Sequence, residues 1–103
     1  MESFAVFVRL QSKAGKEAEL ERLLNEGLSM VQDEPKIIAW YAMRLGPSSF
    51  GIIGTFPDED GRQEYLSGGV SAALMEKSSE LLAHRPVIEL MSVLGEKTPA
   101  YSR

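Results

Sequence analysis

Four side chains stand out for the chemistry their types allow. Trp40, the only tryptophan, sits in the run IIAWYAMRL, where a large flat ring can floor an aromatic pocket and aim its indole N–H at a ligand oxygen. Core packing is the other use of such a ring, since area alone justifies it. Arg9 and Arg44 lie within the apolar runs FAVFVRL and IIAWYAMRL, and an unpaired guanidinium there is expensive, so each requires a partner or a path to water. A ligand oxyanion or enolate meets that requirement, and so does a salt bridge at a strand end. His84, the one histidine, stands between Leu82-Ala83 and Arg85-Pro86. It can in principle act as a base, but its place reads as a helix C-terminus, where it interacts with the dipole.

Other chemistries have little to draw on. The chain has no cysteine, which removes thiolate catalysis, disulfides and thiolate-held metals. Glu17, Glu19, Glu21 and Glu26 spread around the outer side of an amphipathic helix, so they make a solvated face and not a metal site. Gly68-Gly69 lacks the surrounding motif of a phosphate loop and reads as a helix break. No metal and no cofactor are expected. With 15 acidic and 11 basic residues the net charge is −4, a field that repels polyanions, so nucleic acid is not an expected partner. No apolar run approaches the roughly 20 residues of a membrane span. Glu2, with no Lys or Arg before Arg9, is a poor start for a signal peptide, and the expected location is cytoplasmic.

The elements that must position these residues follow from periodicity. The 103 residues suffice for one domain, and 44% apolar with 25% charged residues is a globular balance. Residues 1–95 are expected to form it, with 96–103 as a polar tail. Phe4 to Leu10 alternates as a strand. Ser12 to Lys16 connects it to a helix whose apolar stripe is Leu20, Leu23, Leu24, Leu28 and Val31, closed before Pro35. Ile37 to Leu45 and Phe50 to Phe56 form a hairpin around Gly46-Pro47-Ser48-Ser49. Asp58 caps a short helix reaching Leu66, Gly68-Gly69 breaks it, and Val70, Ala73, Leu74 and Leu81 resume helical spacing until Pro86. Val87 to Leu94 is the last strand. The order β-α-β-β-α-β, with the second helix broken, predicts an α+β ferredoxin-like sandwich: a four-stranded antiparallel sheet with helices on one face.

The second sheet face should then be polar if it meets water. Here Ala5 and Phe7 oppose Phe4, Val6, Val8 and Leu10 in the first strand. In the second, Ile38, Trp40 and Ala42 oppose Ile37, Ala39, Tyr41, Met43 and Leu45. An apolar face of this size requires a cover, and a second copy stacked sheet to sheet is the simplest, so a homodimer is expected.

Across about Phe4 to Leu94 the chain resembles the antibiotic biosynthesis monooxygenase (ABM) superfamily of dimeric α+β barrels. The stretch FVRLQSKAGKEAELERLL is similar to that family's first strand, its Lys-Pro-Gly-Lys-like loop and its first helix, with Ala14 where proline is usual. WYAMRLGPSSFGIIGTFPDEDGRQEYLSGGVSAALMEKSSELL resembles a bacterial branch with a Trp-aromatic-Ala-x-Arg-Leu-Gly-Pro hairpin ahead of Phe-Pro-Asp-Glu. The resemblance implies a wedge-shaped pocket between sheet and helices, and cofactor-independent oxidation of an aromatic or quinol-like small molecule by O2. Tyr65 occupies the place of a histidine found in many members, and Gly69 falls near a second such place. A phenol at 65 can hydrogen-bond a substrate oxygen, or simply pack. Arg9 stands where the haem-degrading branch has asparagine, so haem chemistry is not expected. On this reading Tyr65 and Arg44 act in catalysis, and Trp40 and Arg9 bind substrate. The alternative is a dimeric domain of the same fold that binds a small hydrophobic ligand without turnover.

An RNA recognition motif has the same strand order. Val6-Phe7-Val8-Arg9-Leu10 and Phe50-Gly51 echo its strand motifs, but Ser48 and Ile52 replace the basic and aromatic residues it needs.

Overall fold

The alternating runs at the two ends of the chain pair side by side in one sheet, the first inside it and the last at its edge. The computed structural model describes residues 3–97; of the polar tail expected at 96–103, Glu96 and Lys97 are non-helical, non-strand backbone and residues 98–103 lie outside the described residues. The order is β1 (Ser3–Gln11), α1 (Glu17–Val31), β2 (Ala39–Arg44), β3 (Ser49–Phe56), α2 (Glu59–Leu66), α3 (Gly69–Leu81) and β4 (Val87–Val93). The strands form one antiparallel sheet in the order β2-β3-β1-β4. This is the expected α+β ferredoxin-like fold, broken helix included. Gly15, in the loop before α1, has φ +84°, a left-handed conformation that glycine adopts without strain.

Register decides what each face carries. Trp40, Gly54, Val6 and Leu90 form one cross-strand row, and Ala42, Ile52, Val8 and Ile88 form the next. These rows face the helices. Val6, Leu10, Ile52, Phe56 and Leu20 are completely buried there, and Leu24, Phe50 and Leu74 nearly so. The opposite face carries the rows Tyr41, Ile53, Phe7, Glu89 and Met43, Gly51, Arg9, Val87. Phe7 leans its ring over Gly51, where a Cβ would come within 2.9 Å of it. Tyr41, Met43, Leu45 and Val87 are exposed on the described chain.

Two expectations need correction. The helices leave β4 largely uncovered, so Ile88 and Leu90 on the helix side are about half exposed. And α3 stops at Leu81, well before Pro86, because Leu82 turns to extended backbone and bridges Ser12 while Ala83 N–H donates to Gln11 O at 2.8 Å. Pairing with the end of β1 ends the helix there. His84 is therefore exposed in the bend beyond the last helical turn, not at a helix C-terminus.

Candidate functional site

The hairpin register turns Trp40 and Arg44 to the same side of β2, toward α1, which alternation in an all-apolar strand could not decide. Trp40 enters a slot between two backbones. A Cβ on Gly27 of α1 would lie 3.3 Å from the indole, and one on Gly54 of β3 would lie 3.7 Å from its Cδ1. The two ends of the indole therefore each lie close to a residue without a side chain.

Tyr65 arrives from α2. Asp58, in extended backbone, starts this helix by accepting a 2.8 Å hydrogen bond from Gly61 N–H, and acidic Glu59 and Asp60 occupy the positive first turn. One turn later Tyr65 is 7% exposed, its ring tilted against Phe56 with centroids 5.4 Å apart. Trp40 Nε1–H donates to Tyr65 Oη at 2.9 Å. Because an indole can only donate, the phenol oxygen accepts here and keeps its own proton. That proton finds no protein acceptor among the described residues. Burial pushes the Tyr65 phenol above its ordinary value, with the Trp40 bond pulling partly the other way. At neutral pH the pair is a hydrogen-bond donor, not a base.

Tyr65 also lines a cavity of about 90 Å³ between the end of α1 and the α2–α3 break. Val31, Ile37 and Val70 make apolar wall, and Glu34, Lys36 and Glu64 supply charge. Lys36 Nζ lies 2.8 Å from Glu64 Oε2, which raises the ammonium pKa. A cavity of this size admits a few waters or one end of a ligand, and a fused-ring molecule requires the mouth to widen.

The four proposed residues divide. Trp40 and Tyr65 are brought together. Arg44 is on the same face but a strand's length away, paired with Glu21, donating to Pro47 O at 3.3 Å and lying 4.9 Å over the Phe50 ring. It lines a second cavity of about 130 Å³ with Glu21, Leu24, Asn25 and Ala42. Arg9 is a correction: the register puts it on the opposite face, exposed over the Phe7 ring at 5.3 Å, so it does not share a pocket with Trp40. One residue went unnoticed in the sequence. Arg62 is the one buried charge among the described residues, and its only local signal was Glu59 three positions earlier. No group of three His, Asp or Glu placed to hold a metal occurs among the described residues, and no helix of theirs is long and apolar enough to cross a membrane.

No family profile and no curated protein matches the chain. Solved structures do. A protein of unknown function from Nitrosomonas europaea, NE2512, is 42% identical over 98% of both chains, with a TM-score of 0.92. A candidate antibiotic biosynthesis monooxygenase from the same organism has a TM-score of 0.80 at 10% identity, covering 89% of this chain and 90% of its own. Another from Caulobacter crescentus CB15 has 0.78 at 18% identity, covering 90% and 91%. At such identities the last two show the shared fold.

Proposed function

We propose, because this chain belongs to one family with the NE2512 protein and by fold to the antibiotic biosynthesis monooxygenase superfamily, that it oxidises an electron-rich aromatic or quinol-like small molecule with O2. The observation that carries this reading is the Trp40–Tyr65 hydrogen bond beside the helix-side cavity. A substrate phenol or enol oxygen placed there accepts the free proton of Tyr65. As that oxygen gains negative charge the bond strengthens, in a partly buried setting where such donors act most strongly. Trp40, which does not line the cavity, acts from behind Tyr65 by holding its phenol in orientation. Glu34 and Glu64 are the acceptors nearest to hand for the substrate proton, Glu64 already engaged by Lys36. Arg44 acts, on this reading, only on a ligand long enough to reach the second cavity.

A second reading, binding without turnover, is favoured by the same chemistry: Tyr65 holds its proton and the cavity carboxylates are weak bases for a phenol. Oxygen uptake with anthrones, quinols and flavonols separates the two. Turnover that drops on the order of 10²-fold in Tyr65→Phe supports the oxygenase. Saturable quenching of Trp40 fluorescence without uptake supports the binding domain, and neither response rejects both.

The exposed face of Tyr41, Met43, Leu45 and Val87 is, we further propose, covered by the same face of a second copy.

A further inference from the structure

The helix that delivers Tyr65 is weakly held by its own composition. It has eight residues, EDGRQEYL, too few to persist alone, and only Gly61, Arg62 and Tyr65 of them are buried. Arg62 makes up the difference. One of its terminal nitrogens donates to Ala5 O and to Met91 O, each at 3.1 Å, straddling β1 and β4. Its Nε donates to Glu59 Oε2 at 3.0 Å, its other terminal nitrogen pairs with Glu59 Oε1, and the guanidinium lies 5.2 Å over the Phe4 ring. A planar fork with five donors suits such a junction, and an ammonium cannot reproduce it.

We infer that Arg62 is a positioning residue: by clasping α2 to the carbonyls of β1 and β4 it fixes the angle at which Tyr65, one turn on, meets Trp40. Arg62 does not line the cavity and acts only through Tyr65. The inference rests on Tyr65 being the ligand-facing donor, but its test needs no turnover, so a chain inert toward every oxygen acceptor substrate leaves the result readable.

The single indole N–H gives one resolved signal in a nitrogen-15 correlation spectrum. Tyr65→Phe sets the position and hydrogen-exchange rate of an indole without its acceptor, on the order of tenfold faster than in the parent for a bond worth about 1.4 kcal/mol. In Arg62→Met, which keeps a long chain over Phe4 but no donors, the indole signal is expected to move toward the Tyr65→Phe position with a similar acceleration. Amides of Val6, Val8 and Ile52 should keep their parent rates. Arg62→Lys should fall between. An indole signal unchanged in folded Arg62→Met overturns the inference, as does equal acceleration of the β1 and β3 amides, which marks general loosening. Should Arg62→Met fail to fold, Glu59→Gln must move the indole signal part of the way, and a folded Glu59→Gln with the parent signal overturns it equally.

Discussion

The Tyr65 hydroxyl accepts from one neighbour and keeps its proton for another, and this has a consequence for stability at alkaline pH. An unfolded tyrosine ionises near pH 10, and burial raises that value in the folded chain. The folded state therefore holds the proton more tightly. Its contribution is complete below about pH 10 and is lost as pH rises through the folded value. Urea unfolding between pH 8 and 11.5 is expected to show an alkaline decline that shrinks in Tyr65→Phe. At neutral pH that variant should lose about 1 kcal/mol, because the Trp40 N–H is left without its acceptor. An unchanged decline would show that Tyr65 is not the titrating group. The resemblance put Trp40 and Tyr65 at one pocket, but their hydrogen bond was not legible in the sequence, where they are separate aromatics in a strand and a helix. Their meeting depends on the β2–β3 register and on Gly27, whose lack of a side chain leaves room for the indole.

Among the elements, the strands and the break between α2 and α3 could be read because each has its own local cause: alternation, a glycine pair, an N-cap. The N-cap invites a direct check. Asp58→Ala removes the acceptor for Gly61 N–H and should cost about 0.5–2 kcal/mol, measured by chemical denaturation. A loss below that range would mean the clasp of Arg62 alone holds the helix. What stayed hidden is long-range. Arg44 and Glu21 are neighbours only once α1 crosses β2, so the sequence left a salt bridge and a ligand oxyanion equally open as partners. Arg62 stands in a helix of charged residues, and nothing nearby in the sequence announces its two carbonyl partners from distant strands. The end of α3 was misjudged for the same reason: the signal was sought at Pro86, but the pairing of Leu82 and Ala83 with the end of β1 acts first.

At the scale of the whole molecule the apolar second face, legible from the sequence as doubled alternation, is exposed in the single chain at Tyr41, Met43 and Val87. If a second copy covers it, folding and association are linked. The thermal midpoint should then rise with protein concentration, and light scattering across a dilution series should report twice the 11.4 kDa chain mass. Tyr41→Lys should shift that equilibrium toward monomer, and a concentration-independent midpoint with monomer mass would reject the linkage. The sheet order also bears on how the chain is made. β1 lies between β3 and β4, so the strand that leaves the ribosome early is completed by the strand that leaves late. During synthesis Phe4, Val6 and Val8 must wait with one flank unpaired until Ile88 and Leu90 emerge, and they gain their last backbone partners only then. A chain in which β4 is not yet paired would thus carry an adhesive open edge along β1.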